Sequence, residues 1–191
     1  MTMEERLSDE ERKYLLSVAR ESIELAVNRK PLPPLNLDTL TPHLKAPGAS
    51  FVTLTKSGDL RGCIGTLEAY QPLVEDVREH AIAAALEDYR FPPVIPSEVA
   101  QIEIEISRLT APVALRYSSP EELIGRLRPG IDGIILKDGM RRATFLPQVW
   151  EKLPDPEAFL SHLCQKMGAA PSLWRRKILD VMTYQVEEFH E

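Results

Sequence analysis

Cysteine is scarce in this chain: Cys63 and Cys164 are the only two among 191 residues. Two thiols make no disulfide framework and are too few for a cysteine-based zinc site. Basic charge is short as well. Twenty-three lysines and arginines stand against 29 aspartates and glutamates, for a net charge of −6, which disfavours nucleic-acid binding through bulk charge. No apolar run approaches the ~20 residues needed to span a bilayer. The N-terminal segment, MTMEERLSDEERKYLL, is acidic where a signal peptide would be basic and then apolar. A cytoplasmic chain with no membrane association is the expectation. There is no Walker loop, no GxGxxG after a strand, no repeat and no low-complexity tail. His162 and Cys164 are two residues apart on a predicted helix and point in different directions. His43, His80 and His190 have no partner at ligand spacing. Neither a metal nor a cofactor is expected.

Proline, by contrast, is plentiful, at sixteen residues where ~5% of a chain is usual. The prolines are not periodic and fall between apolar segments, as stops in a compact, irregularly connected fold. With 43% apolar and 27% charged residues, the chain can bury a sizeable core without staples. Residues 1–191 are expected to form one domain, divided into two lobes.

Ser8 followed by Asp9, Glu10 and Glu11 is a helix start with capping-box spacing. Leu15, Leu16, Ala19, Ile23, Ala26 and Val27 continue it as an amphipathic helix over 8–29, ended by Pro31, Pro33 and Pro34. Residues 35–50 predict a loop with a helical turn. Phe51 to Thr55 predicts a strand, Lys56 to Asp59 a turn, and Leu60 to Leu67 an antiparallel return. A helix from Pro72 to Leu86 carries a small alanine face suited to close approach to a sheet. Ile102, Ile104 and Ile106 alternate with Glu103, Glu105 and Ser107 as a half-buried strand. Pro120 starts a short helix. Residues 131–137 and 141–146 form a hairpin about Asp138-Gly139. Pro156 to Met167 is helical, a short turn surrounds Trp174, and Ile178 to Val186 closes as a strand. The order of elements fits α+β or mixed-sheet α/β.

The segment Leu60-Arg-Gly-Cys-Ile-Gly-Thr-Leu carries the functional signal. Two glycines within four strand residues call for a close approach by a backbone or ligand, or for a bulge. Strict alternation puts Arg61, Cys63 and Gly65 on one face, and Leu60, Gly62, Ile64 and Thr66 on the other. A guanidinium beside a thiol favours thiolate. The plain alternative makes Cys63 a small buried hydrophobe and Arg61 an edge charge.

The hexapeptide Leu60 to Gly65 resembles the signature of the AMMECR-type domain family, also called AmmeMemoRadiSam system protein A. Phe51-Val-Thr-Leu, Ala84-Ala-Leu-Glu-Asp-Tyr-Arg-Phe-Pro-Pro, Ile102 to Thr110, Leu146-Pro-Gln-Val, Phe159 to Gly168 and Trp174 extend the resemblance over residues 8–190. Two positions depart from the family pattern: Asp132 stands where members often have His, and Met167 where many have Ala. The resemblance implies an α+β fold with a mixed, largely antiparallel sheet flanked by helices. It also implies a larger and a smaller lobe, with the glycine–cysteine motif near a groove between them. It further implies radical-SAM and Memo-like dioxygenase-type proteins as partners in a modification pathway, and it names no reaction.

The candidate catalytic residues are Cys63 and, as a base should the alanine-rich helix cover the second strand, His80. Arg61, Gly62, Gly65, Asp88 and Arg90 are candidates for ligand binding. Asp88 and Arg90 could aim a guanidinium at an anion, or simply tie a turn. Glu103 and Glu105 could present carboxylates to the groove or lie exposed. Because no complete catalytic set is visible, binding of a small ligand or protein partner ranks above cysteine-dependent catalysis.

Overall fold

The computed structural model describes residues 6–191; the first five residues of the acidic N-terminal segment lie outside the described residues. The predicted capping box is present. Ser8 Oγ accepts the Glu11 N–H at 3.2 Å, and the Glu11 carboxylate accepts the Ser8 N–H at 2.7 Å. Helix α1 then runs Asp9–Val27, and Arg29, in the left-handed region at φ 56°, turns the chain out of it.

Residues 35–50 are more ordered than a loop. They hold a 3-10 turn at Leu37–Thr39, a short helix α2 (Pro42–Lys45) and the beginning of β1 (Pro47–Lys56). The start of β1 carries small and polar residues, so hydrophobic alternation does not mark it. Pairing makes it a strand: Ala49 and Ser50 lie opposite Leu109 and Arg108, and Pro47 and Gly48 lie opposite Pro72 and Gln71. Strand β2 spans Asp59–Gly65 and β3 is the pair Gln71–Pro72. Helix α3 is Leu73–Leu86, and β4 runs Ile102–Leu109. Val52, Leu54, Ile104 and Ile106 present one sheet face to a core shared with Leu15 and Ile23 of α1 and Val77 and Ala81 of α3.

A second set of elements begins with β5 (Val113–Ala114) and α4 (Pro120–Arg126). The hairpin forms as predicted, with β6 (Gly133–Asp138) and β7 (Arg141–Phe145) joined through Gly139 at φ 60°. Helices α5 (Pro156–Lys166) and α6 (Leu173–Arg176) follow. Their core is built around Trp174 and a stacked Trp150–Phe159 pair with ring centroids 3.7 Å apart.

The predicted closing strand over 178–186 is a correction: it is two strands, β8 (Asp180–Tyr184) and β9 (Val186–His190). The apolar phase that runs through Leu179 and Val181 shifts at Tyr184, and Gln185 lies between the two strands. Strand β9 joins the first sheet, whose order is β2-β1-β4-β9 with β3 beside β1; the second sheet is β5-β8-β6-β7. The architecture is α+β with two antiparallel sheets. Chain contacts divide it into two compact units, one of residues up to Thr110 with Glu187–Glu191 and one of Ala111–Val186.

Candidate functional site

The hairpin of β1 and β2 does not keep a single register. Lys56 and Thr55 lie opposite Asp59 and Leu60, but Leu54, Thr53 and Val52 lie opposite Gly62, Cys63 and Ile64. One residue of β2, Arg61, is therefore extra, as in a β-bulge. The consequence is a correction to the simple alternation. Leu60, opposite Thr55, shares a face with Cys63, opposite Thr53, while Gly62 and Ile64 turn to the α3 side with Leu54 and Val52.

The two glycines have separate steric causes. A Cβ on Gly62 would lie 2.1 Å from the Ala84 carbonyl oxygen, so Gly62 is where the helix backbone rests on the strand. A Cβ on Gly65 would meet the Ser50 carbonyl oxygen at 2.3 Å and the Phe51 ring at 2.4 Å. Both are close approaches by the protein itself, and they account for the glycines as packing residues.

Cys63 is half-buried, on the face away from α3. It sits opposite Thr53 in a pair whose side chains are close, and Thr53 Oγ1 donates to Sγ at 3.2 Å. Across β1 in the same row lies Glu105, with Glu103 one row along beside Thr55. Two strand spacings separate Cys63 from Glu105, about 10 Å between backbones. Both carboxylates stand on the Cys63 face.

Strand β2 is an edge strand, and the N–H and C=O of Cys63 are on its outer side, away from β1. The two candidate residues after α3 partner both. The Asp88 carboxylate accepts the Cys63 N–H at 2.8 Å, and Arg90 Nη2 donates to the Cys63 carbonyl at 3.1 Å. Arg90 also grips Asp88, Nε to Oδ1 at 2.9 Å and Nη2 to Oδ2 at 2.6 Å. The side-chain pair thus takes the place of a neighbouring strand and closes the edge at Cys63. Hydrogen bonds from Arg90 hold the buried Asp88 carboxyl well below the usual carboxylate range, and Asp88 in turn raises the Arg90 guanidinium.

Arg61, released from the ladder by the bulge, pairs with Glu98. Its Nη2 and Nε lie 3.1 and 3.4 Å from the Glu98 carboxylate, and Lys56 Nζ lies 3.0 Å from it. These hydrogen bonds, that from Arg61 first, hold Glu98 down to about 2. The Ile95 N–H donates to the same carboxylate. Sequence reasoning missed both Glu98 and Thr53. Thirty-seven residues separate Glu98 from Arg61, and the bulge hides the Thr53–Cys63 pairing.

His80 is not brought to Cys63. Its Nδ1 lies 3.2 Å from Oδ2 of the fully buried Asp76, which accepts the Ser50 hydroxyl at 2.6 Å, all on the α3 side of the sheet. Asp132, at the position where the resemblance expects His, is buried and bound to Arg128, and its carbonyl accepts the Trp150 indole N–H at 2.7 Å. It serves as a structural tie. Cys164 is sealed in the second core, where burial pushes its thiol up. Among the described residues no group of three or more His, Cys, Asp or Glu side chains is placed to hold a metal ion. No described helix is long and apolar enough to cross a membrane.

Three exposed apolar side chains border this network. Leu60 precedes Arg61, Tyr89 lies between Asp88 and Arg90, and Ile95 donates its N–H to Glu98; they are 45%, 94% and 54% exposed. The arrangement is a charge-compensated polar centre with one thiol, an acidic sheet face and an apolar margin.

A family model described as AMMECR1 matches residues 16–189. A protein of Methanothermobacter thermautotrophicus is 39% identical, with 97% of this chain and 96% of that protein covered. A protein of Thermofilum pendens is also 39% identical, over 97% of this chain and 92% of its own. The crystal structure of an uncharacterized protein from Pyrococcus horikoshii superposes with a TM-score of 0.83 at 34% identity, covering 97% of this chain and 93% of that one.

Proposed function

Starting from the membership of this chain in the AMMECR1 family, we propose that it is a binding module whose surface around Cys63 docks a partner protein. The observation that carries this reading is the set of three exposed apolar side chains, Leu60, Tyr89 and Ile95, fixed on segments that the Arg61–Glu98 and Asp88–Arg90 pairs hold rigid. Large apolar groups held at the surface by a preorganised frame are the usual anchors of an interface. Glu103 and Glu105 on the adjoining face favour a partner that brings basic groups. In this reading Gly62 and Gly65 shape the platform, and Arg61, Asp88 and Arg90 set its geometry.

The resemblance of the Leu60–Gly65 segment to the AmmeMemoRadiSam proteins supports a radical-SAM or a Memo-like protein as that partner. The test is calorimetric titration of this chain with each such protein purified from the same organism. Saturable binding to one of them, weakened about tenfold or more by Tyr89→Ala with Ile95→Ala, is expected for the loss of two anchors. Absence of binding to both, or unchanged affinity in the double variant, overturns the reading.

A second reading makes Cys63 a nucleophile or redox thiol, and one observation favours it. The sulfur is half-exposed on an edge strand, with the Thr53 hydroxyl donating to it at 3.2 Å. Its test is the pH dependence of Cys63 alkylation: a rate midpoint clearly below ~8.5 supports it, and a midpoint at or above that value removes it.

A further inference from the structure

The second compact unit has a cavity of its own. Strand β5 is only two residues long, and after the Leu115 N–H donates to the Val181 carbonyl at 2.9 Å the chain leaves the edge of β8. That departure opens a cavity of about 540 Å³, lined wholly by residues of this unit. The volume falls within the ~300–1,000 Å³ of small-molecule sites. Its apolar wall includes Ile178 and Met182, and Ile178 is one of the exposed large hydrophobic residues.

Its two cations are not tied into a structural network. Arg116 and Lys137 both line the cavity, and the side chain of neither has a hydrogen-bond or ion-pair partner among the described residues. Lys137 lies opposite Asp180 in the β6–β8 register, so one carboxylate stands against two cations. Tyr117 adds a directed donor. Its hydroxyl oxygen accepts the Leu179 N–H at 2.7 Å, which fixes the ring, and burial raises its pKa, so the phenol keeps its own proton to donate.

We propose that this cavity binds an organic anion with an apolar body. Arg116 and Lys137 would meet the anionic head, Tyr117 would donate to one of its oxygens, and Ile178 and Met182 would cover the apolar portion. The two cations favour a ligand with an anionic head over a neutral one, and the apolar wall favours one that carries an apolar body over a bare inorganic anion. This site is separate from the Cys63 surface and stands or falls independently of it.

The test uses octanoate as the probe and the full chain, followed by methyl NMR. Octanoate is expected to shift the Ile178 and Met182 methyl signals saturably. Removing the two cations in Arg116→Gln with Lys137→Gln should weaken binding about tenfold or more, and octanol, which has the same tail without the charge, should bind about as weakly as octanoate does to that variant. Asp180→Asn, which removes the opposing carboxylate, should tighten binding. Should the double variant not fold, Arg116→Gln alone carries the comparison, because Arg116 is exposed. No saturable shift at Ile178 and Met182, equal binding of octanol and octanoate to the native chain, or unchanged affinity in the charge variants would overturn the proposal.

Discussion

At Gly62 the chain has no room for a single carbon: a Cβ there would sit 2.1 Å from the Ala84 carbonyl oxygen. Backbone cannot yield as the tip of a flexible side chain can. Gly62→Ala should therefore destabilise the protein by ~1–3 kcal/mol, seen as a lower midpoint in urea, without any change at Cys63 itself. The same scale separates the two thiols. Cys63 is half-exposed, whereas Cys164 is sealed and its thiol raised by burial. A maleimide should label Cys63 well before Cys164 in the native chain, and the two alike in denaturant. Equal labelling of the native chain would contradict the placement of Cys63. These residues were the most legible part of the sequence, because a glycine inside a strand and an arginine beside a cysteine both need explanations that spacing alone can pose. Their answers were not legible. Whether a ligand or the helix fills the space at Gly62 depends on the height of α3 above β2, which no local pattern encodes.

Among the elements, those defined by local chemistry matched expectation most closely. The Ser8 capping box, the alanine face of α3 and the Gly139 hairpin each rest on a residue or two in sequence. Elements defined by partners were less visible. The start of β1 is a strand because of Leu109, Arg108 and Pro72, and β9 is separated from β8 because it pairs in another sheet. The bulge at Arg61 is the most consequential case. Counting straight back from the Ser57-Gly58 turn would set Cys63 opposite buried Val52, whereas the extra residue sets it opposite Thr53 and frees Arg61 to reach Glu98. At this scale the edge closure by Asp88 and Arg90 is directly testable. In Asp88→Ala the Cys63 amide loses its acceptor, and its hydrogen exchange should accelerate about tenfold or more. The Ile64 amide, on the side facing β1, should keep its protection. Equal protection at Cys63 in the variant would show that the edge is held by something other than Asp88.

For the molecule as a whole, the two carboxylates of the site tie stability to acid. Asp88 and Glu98 both have folded-state pKa values below their ordinary ones, Glu98 at about 2. Each contributes its stability above its ordinary value and loses it as pH falls toward the lowered folded value; for Glu98 that window runs from about 4.5 toward 2, and for Asp88 it lies lower. Glu98→Gln should flatten this loss in a pH series of denaturation midpoints; an unchanged slope would mean that Glu98 is not held by Arg61 and Lys56 in solution. The proposed division of labour, a rigid frame presenting an apolar margin with the sulfur a bystander, is tested most directly by one side-by-side measurement of partner affinity. The account predicts that Cys63→Ser binds the partner within about twofold of the native chain while Tyr89→Ala with Ile95→Ala loses about tenfold or more. Binding abolished by Cys63→Ser in a folded protein, with the Tyr89 and Ile95 variant still binding normally, would contradict it.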